Sequence, residues 1–465
     1  MTVPCKWVPF RRCNLSALAK RQCATLEQRQ DRLPTRPFTK KETLPALSIS
    51  LPPDTTAWAI ILVATACVII RPFRWPEAIW AAAGAVALVA LGLLPLGDAL
   101  AGMRKGVDVY LFLIGMMLIA ELARREGLFD WLAALAVEHA QGSPQRLFLL
   151  VYIVGTLVTV LLSNDATAIV LTPAVYAATR AAGATPLPYL FACAFIANAA
   201  SFVLPISNPA NLVVYGARMP HLADWLRQYT LPSIAAIAAT YVVLRLALNT
   251  SLREEKLARD VPRPHLSHEG KLTAWGIAAI GVVLIGASAL DMQLGLPTFI
   301  CGVVTAALVL LLSRQSPLPL LKDIAWGVLP LVAGLFVMVE ELIRTGVIAH
   351  LSALLHELVA QSATKAVWVT GLVVAIATNI ANNLPVGLVA GSIANSDHLT
   401  PAVTGAILIG VDLGPNLSVT GSLATILWLV ALRREKFEVS ALSFLKLGWL
   451  VMFPALLLAL AALHP

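Results

Sequence analysis

Charged residues are scarce in this sequence. Asp, Glu, Lys and Arg make up 13% of its 465 residues, and hydrophobic residues make up 58%, whereas about 25% of a typical soluble domain is charged. This composition excludes a soluble globular fold. Apolar runs recur from about residue 55 to the C-terminus, many of them long enough to cross a hydrocarbon core of about 30 Å.

The apolar runs predict an all-α polytopic membrane protein with about 10–12 transmembrane helices. Polar residues interrupt several runs, so some pieces are too short to cross alone. The predicted spans lie near residues 55–70, 76–96, 107–123, 146–162, 186–206, 230–248, 273–290, 297–313, 324–343, 366–380 and 440–463.

Signatures of energy-converting and hydrolytic enzymes are also missing. The chain has no GxxxxGK[ST] loop for ATP, no HExxH, no GxSxG and no paired-aspartate motif. Its six cysteines form no CxxC pair or metal-ligand spacing, so no metal or cofactor is predicted. A transporter driven by an ion gradient or by a separate subunit fits these absences better than a membrane-embedded enzyme or a nucleic-acid-binding protein.

Positive charge is concentrated at the N-terminus. Residues 1–50 contain ten Lys or Arg and three acidic residues, while the other 415 residues contain 24 basic and 23 acidic residues. The charge predicts a disordered, cytoplasmic tail over residues 1–50. Charged residues occur throughout this segment, so it does not resemble a signal peptide.

The membrane part divides into two similar halves, at residues 51–250 and 272–465, joined by a polar linker at 251–271. The segment at 113–133 resembles the segment at 332–352 at a constant offset of 219. Identical residues at this offset are Gly115 and Gly334, Glu121 and Glu340, Arg125 and Arg344, Gly127 and Gly346, and Asn164 and Asn383. We therefore predict two repeats, inverted as in many transporters, each with a re-entrant hairpin or broken helix.

Four polar interruptions mark the predicted substrate site. Unpaired backbone groups persist in a bilayer only where they are buried in protein or line a water-filled cavity. The predicted substrate-binding residues are Asn164, Asp165 and Thr167 in the first interruption, Ser207, Asn208 and Asn211 in the second, Asn382 and Asn383 in the third, and Gly421 and Ser422 after the fourth.

Two carboxylates in these interruptions are predicted to couple transport to protons. A carboxylate in a transmembrane segment costs about 2.5–3.5 kcal/mol on insertion scales, so it should face a partner or a cavity. Asp165 is the main candidate and Asp412 the second. Each also has a structural interpretation, because Asn164 or Asp165 could cap the following helix and Asp412 could end a helix. The bend at Pro209 could likewise be an ordinary turn at the end of a span.

The interruptions resemble segments of the ArsB arsenite efflux permeases. The run VDLGPNLSVTGSLATILWL at 411–429 is similar to the C-terminal signature of that family. SNDATAIVLTP at 163–173, SNPANLV at 207–213 and NNLPVGLVAG at 382–391 resemble three further family segments, in the same order. The resemblance covers about residues 55–463.

The ArsB resemblance implies a transporter of the cell inner membrane with a scaffold domain and a transport domain. It implies export of arsenite and antimonite, as As(OH)₃ and Sb(OH)₃, in exchange for protons, and a soluble ATPase partner of the ArsA kind. ArsB belongs to a superfamily that includes NhaD-type sodium/proton antiporters and carboxylate carriers. Two positions depart from the expected ArsB pattern, Pro209 and the pair Val386-Gly387.

The residue types in the four interruptions suit a neutral, hydroxyl-bearing solute. Amides, hydroxyls and helix-end N–H groups can bond As(OH)₃ without fixed positive charge. A dicarboxylate would require cations, and none of the four interruptions contains Lys or Arg. A sodium site could form around Asp165, so a sodium/proton antiporter is the alternative function.

Overall fold

A computed structural model describes residues 53–463, except 254–256, 259–263, 291 and 397–398. Every regular element in this part of the chain is helical. The predicted all-α membrane fold is therefore confirmed. The predicted N-terminal tail at 1–50 lies outside the described residues.

The first half contains eleven described helices. They are α1 (Pro53–Ile70), α2 (Glu77–Ala90), α3 (Leu96–Lys105), α4 (Val107–Arg125), α5 (Leu128–Ala140), α6 (Pro144–Leu161), α7 (Asn164–Ala166, a π-helical turn at Thr167–Leu171, then Thr172–Ala181), α8 (Leu187–Ala199), α9 (Pro209–Tyr215), α10 (Leu222–Ala247) and α11 (Asn249–Arg253).

The second half contains ten described helices. They are α12 (His268–Ala289), α13 (Gly295–Ser313), α14 (Pro317–Asp323), α15 (Val328–Arg344), α16 (Val347–Gln361), α17 (Ala363–Ala381), α18 (Asn383–Ser396), α19 (Pro401–Leu413), α20 (Leu423–Arg434) and α21 (Ala441–Ala462). Short 3₁₀ turns lie at Pro72–Arg74, Pro205–Ser207, Gly216–Arg218 and Gly414–Asn416.

Six of the described helices are long and apolar enough to span a bilayer. Two bent pairs, α3 with α4 at 48° and α14 with α15 at 44°, raise the number to eight. The predicted 10–12 spans included the runs near 76–96 and 186–206, which fold as helices of only 14 and 13 residues. These helices are shorter than the predicted runs because turns at 91–95 and the polar interruption after Ala199 end them.

The two halves share a helix order, with several helix bounds at the predicted offset. α1 and α12 end at Ile70 and Ala289, and α10 and α21 begin at Leu222 and Ala441. Both differences are 219 residues. The matching helices α5 and α16 each follow a glycine with a left-handed backbone conformation, Gly127 (φ 71°) and Gly346 (φ 79°). This order supports the predicted repeat, whose inversion stays a prediction.

Each half packs one of its bent helices against the other half. α4 lies along α13, and the corresponding helix α15 lies along α2. A Cβ atom on Gly302 would lie 2.7 Å from the carbonyl oxygen of Gly115, and one on Gly334 would lie 2.7 Å from the backbone of Ala81. Small residues at these crossings allow the backbones to touch, which strengthens dispersion contacts between helices in a lipid environment.

Candidate functional site

Four helix starts converge at the centre of the described structure. A cavity of about 10 Å³ is lined by the first residues of α7, α9, α18 and α20, together with apolar residues of α4 and α15. Polar residues of this lining are Asn164, Asp165, Asn208 and Asn383. The first N–H groups of a helix lack partners within that helix, so a site between such ends can donate hydrogen bonds to an oxygen-bearing solute.

Side-chain caps start a new helix at each of these points. The Ser163 hydroxyl accepts a hydrogen bond from the backbone N–H of Ala166 at 3.2 Å. The Asn208 side chain accepts from Ala210 at 3.0 Å, and Pro209 takes the first helical position, where no N–H is needed. The interpretation of Pro209 as an ordinary turn is therefore incomplete, because the residue starts a second helix.

The second half uses the same type of cap. The Ser422 hydroxyl accepts from the N–H of Thr425 at 3.1 Å at the start of α20. Asn382 has a left-handed backbone (φ 69°), which turns the chain between α17 and α18. Its side chain donates to the carbonyl of Thr420 at 3.1 Å. Asn382 and Ser422 therefore shape the interruptions that surround the cavity.

The broken helices of the two halves pack against each other. α9 of the first half lies on α18 of the second half, and α20 of the second half lies on α7 of the first half. A Cβ atom on Gly391 would lie 2.7 Å from the backbone of Val214, so α9 and α18 are in backbone contact there. The central cavity consequently requires both halves.

Asp412 is buried behind the cavity rather than in its lining. Asn208 donates a hydrogen bond from Nδ2 to Asp412 Oδ1 at 2.7 Å, across the two halves. Oδ2 is buried and has no hydrogen-bond partner among the described residues. Asp412 thus lies in the last turn of α19 and holds the residue that caps α9, as its structural interpretation expects. Its role in proton coupling stays a prediction.

A buried hydrogen-bond network around the amide of Asn198 was not predicted from the sequence. The Asn198 Nδ2 donates to Asn416 Oδ1 at 3.0 Å, and the Ser422 hydroxyl donates to Asn198 Oδ1 at 3.3 Å. Asn198 lies 214 residues before Asp412, and Asn208 lies 214 residues before Ser422. The offset of 214 relates these residues but matches no identical pair among them, so identities alone do not reveal that each half holds a helix cap of the other.

Four of the predicted substrate-binding residues lie outside the lining of the central cavity, and their role in binding stays a prediction. Thr167 shares a hydrogen bond with Thr159 at 2.8 Å beside the π-helical turn. Ser207 donates to the carbonyl of Val160 at 3.1 Å. Asn211 donates from Nδ2 to the carbonyl of Ser201 at 2.8 Å. Gly421 lies where a Cβ atom would come within 2.6 Å of the Pro415 backbone. None of these four residues lines the central cavity.

A second cavity, of about 90 Å³, opens beside Asp165. It lies between α4, α7 and the loop before α15, with Glu121 and Asp323 in its lining. Arg124 and Arg125 each form an ion pair with Asp323, at 3.2 and 3.1 Å, and both also pair with Glu121. Through Asp323, these ion pairs join the two halves at this end of α4.

A much wider cavity, of about 860 Å³, occupies the other end of α4. Lys105, at the bend between α3 and α4, forms an ion pair with Glu340 at 2.6 Å in its wall. Arg344 on α15, which matches Arg125 at the offset of 219, pairs with Glu341 at 3.0 Å. The two ends of α4 therefore differ, with a small cavity behind ion pairs at one end and a wide cavity at the other.

Comparison with known proteins agrees with the predicted ArsB resemblance. The chain is 26% identical to the "Arsenical pump membrane protein" of Escherichia coli, over 83% of this chain and 92% of that protein. It is 28% identical to the protein of the same name from strain K12, with the same coverage. The recognition of an ArsB-type transporter is confirmed.

A solved structure has a similar fold. The Alcanivorax borkumensis YdaH transporter matches with a TM-score of 0.55 at 16% identity, covering 88% of this chain and 97% of that chain.

The family described as "CitMHS: Citrate transporter" matches residues 60–410. The chain therefore belongs to this family of secondary transporters, and it is a multi-pass membrane transporter rather than an enzyme.

Proposed function

We propose that this transporter exports arsenite, and antimonite, in exchange for protons across the cell inner membrane. The observation that carries the proposal is the chemistry of the central cavity, where amides and helix starts surround one ionisable side chain, Asp165. As(OH)₃ is mostly neutral near pH 7 and presents three hydroxyl groups. Amide oxygens and helix-end N–H groups complement these hydroxyls without a fixed positive charge.

The absence of a cation from the central cavity favours arsenite over a carboxylate substrate. Recognition of a carboxylate usually relies on Arg or Lys, often in bidentate geometry. Neither residue lines the central cavity, and Arg124 and Arg125, near the second cavity, are already paired with acidic residues. This lining supports arsenite as the solute rather than the citrate in the family description.

The cavity sizes suggest where the solute would sit. A cavity of about 10 Å³ is at the limit for a single water molecule. The cavity of about 90 Å³ beside Asp165 is large enough for a few waters or one small solute. We propose that arsenite binds beside Asp165 and reaches the central cavity when the broken helices around that cavity move. Such weak, oxygen-based binding permits release.

A sodium/proton antiporter is the second candidate function. The buried oxygens Asn383 Oδ1 and Asp412 Oδ2 have no hydrogen-bond partner among the described residues. Unpartnered oxygens of this type are the ligands that a hard cation prefers.

A soluble ATPase of the ArsA kind is proposed as a partner on the ground of the ArsB resemblance. The sequence has no nucleotide-binding loop of its own.

The proposed function predicts lower arsenite content in cells that express the protein. An arsenite-sensitive host would carry the parent, Asn383→Ala or Asn249→Ala, and cellular arsenic would be measured after exposure to arsenite. The parent and Asn249→Ala should both reduce accumulation. Asn383→Ala should reduce it less, because the unpartnered Oδ1 of the cavity is lost. Asn249 is the control, since its side chain bonds Arg245 at 2.8 Å on α10.

Two outcomes would contradict arsenite export. Unchanged arsenic content with normally inserted protein would refute it. Tolerance to sodium salts that rises instead, with proton-coupled sodium flux in vesicles, would establish the antiporter.

A further inference from the structure

We propose that Met116 and Met117 give the cavity beside Asp165 a soft, polarisable wall that selects arsenic and antimony hydroxides from other neutral hydroxylated solutes. This selectivity rests on the proposed arsenite export and adds the residues that determine its specificity. Both methionines lie on α4, in the lining of the cavity of about 90 Å³ that also includes Asp165 and Ser163. The lining thus combines two sulfur atoms with a carboxyl group and a hydroxyl group.

One face of α4 forms this wall of the cavity. Its lining residues recur at the spacing of a single helix face and are Phe112, Leu113, Met116, Met117, Ala120 and Glu121. Met116 is buried and Met117 is half-buried. Between Phe112 and Ala120 this face has no side-chain nitrogen or oxygen. Its two sulfur atoms are therefore the groups through which it can bind a solute by more than apolar contact.

Asp165 lines the same cavity without a partner of its own. Its carboxyl group forms no hydrogen bond or ion pair with the residues that the structure describes. The other acids of the lining, Glu121 and Asp323, are already in ion pairs with two arginines of α4. The carboxyl group of Asp165 is thus available to accept a hydrogen bond from a hydroxyl group of a solute.

The cavity of about 860 Å³ is the equivalent place in the other repeat. At the offset of 219, six residues that line the small cavity correspond to residues that line the wide one. The pairs are Met117 and Phe336, Ala120 and Val339, Glu121 and Glu340, Ile169 and Leu388, Asp323 and Arg104, and Ile324 and Lys105. A comparison of the two cavities therefore separates what the repeat shares from what one half adds.

Three positions with sulfur or a carboxyl group in the first half have hydrocarbon side chains in the second. The corresponding residues are Met116 and Leu335, Met117 and Phe336, and Asp165 and Leu384. Leucine and phenylalanine fill the equivalent positions of α15, so a helix of this design packs without sulfur. The difference assigns the two methionines and Asp165 to one solute subsite, which the first half alone provides.

The chemistry of As(OH)₃ and Sb(OH)₃ matches this subsite. Both have a polarisable central atom with an affinity for sulfur, and both present three hydroxyl groups. Thioether sulfur is a soft donor and also a weak hydrogen-bond acceptor. A thioether contact leaves the three bonds from arsenic or antimony to oxygen intact, whereas thiolates would replace them. The solute is therefore recognised by its central atom and still released, as passage requires.

The test compares the double variant Met116→Leu/Met117→Leu, and each single variant, with Met338→Leu in proteoliposomes. Leucine removes sulfur at nearly constant volume, a change that protein cores tolerate well. Met338 is a matched control because it is buried on α15 and lines neither of the two cavities. Exchange of labelled arsenite is measured with unlabelled arsenite, antimonite or boric acid as competitor. Boric acid is a neutral trihydroxide whose central atom has little affinity for sulfur.

In the parent, antimonite should compete at lower concentration than arsenite, because antimony is the larger and more polarisable atom. We expect this advantage to fall about three- to tenfold in the double variant, a factor equal to about 0.6–1.4 kcal/mol of binding free energy. Competition by boric acid should be unchanged, and Met338→Leu should match the parent with all three competitors. Each single variant should show part of the effect, which keeps the test decisive if the double variant does not insert.

The outcomes separate this subsite from the proposed function. A parent that does not exchange arsenite would refute the proposed function, and the subsite with it. A parent that exchanges arsenite, with an antimonite advantage that is absent or that the variants retain, would overturn the subsite alone. Variants in which all three solutes are affected equally would also overturn it, because the methionines would then act only through packing.

Discussion

At the scale of single residues, the two membrane carboxylates have different surroundings. Asp165 is only partly buried, lines a cavity of about 90 Å³ and stands beside the start of α7. Asp412 is fully buried, and Asn208 and Ser201 hold its carboxyl group. A carboxylate without a cation in a low-dielectric site is costly, and taking up a proton removes this cost. We therefore predict that both groups take up protons, and of the two only Asp165 lines the central cavity.

Asp165→Asn should uncouple arsenite movement from the pH gradient. The amide keeps the shape and hydrogen-bonding capacity of the carboxyl group and removes titration, so exchange of arsenite should persist. Flux in proteoliposomes should become equal with and without an imposed gradient. Asp412→Asn should retain the bond from Asn208 through its own Oδ1 and should reduce the response to the gradient less.

Two results would change this assignment of the carboxylates. If Asp165→Asn responds to the gradient like the parent while Asp412→Asn does not, Asp412 is the main coupling residue. If neither variant alters coupling, the proton path uses other groups and this assignment is wrong.

From the sequence, site residues could be predicted where a cluster of polar side chains interrupts an apolar run. Asn164, Asp165, Asn208 and Asn383 were predicted because polar side chains in hydrocarbon require an explanation, and they meet at one cavity. Asn198 was missed because it is a lone amide in an apolar run. The direction of a side chain such as Thr167 depends on helix phase at a break, which the local sequence does not specify.

At the scale of elements, the crossing of α4 and α13 depends on two glycines. A Cβ atom on Gly115 would lie 2.5 Å from the carbonyl oxygen of Thr298. Gly302 faces Gly115 from the other side. The identities at the offset of 219 pair Gly115 with Gly334, but they do not identify α13 as the helix that Gly115 contacts. Pairing between the two halves is a tertiary property that a repeat pattern in one chain does not reveal.

Gly115→Val should destabilise the protein, because a branched side chain cannot fit between the two backbones. Overpacking of this kind typically costs about 1–3 kcal/mol. The melting temperature of the purified protein in detergent should fall clearly. Gly286→Ala on α12 is the control, since a Cβ atom there has nothing within 4 Å, and alanine favours the helix. A Gly115→Val melting temperature equal to that of the parent would contradict this close crossing.

At the scale of the whole molecule, the two halves are joined both by side-chain hydrogen bonds and by helix packing. The amide of Asn208 holds Asp412, and the hydroxyl of Ser422 donates to Asn198. α9 lies on α18 and α4 on α13, each pair joining one half to the other. Alternating access requires two arrangements of such paired elements around one site. The cavities at the two ends of α4 are unequal, about 90 and 860 Å³, and such an asymmetry is expected of one of the two arrangements.

The last prediction concerns residues 1–50, which should be dispensable for transport. The family match begins at residue 60, and α1 begins at Pro53. A chain that starts at residue 51 with a new initiating Met should therefore insert into the membrane and lower cellular arsenite as the parent does. A longer deletion through Ile70 is the control. It removes α1, which packs on α2, and should reduce insertion. Immunoblots of membrane fractions measure insertion, and arsenic content measures transport. Normal insertion of the shorter deletion with loss of arsenite export would show that the basic tail takes part in transport, for example by binding the proposed ATPase partner.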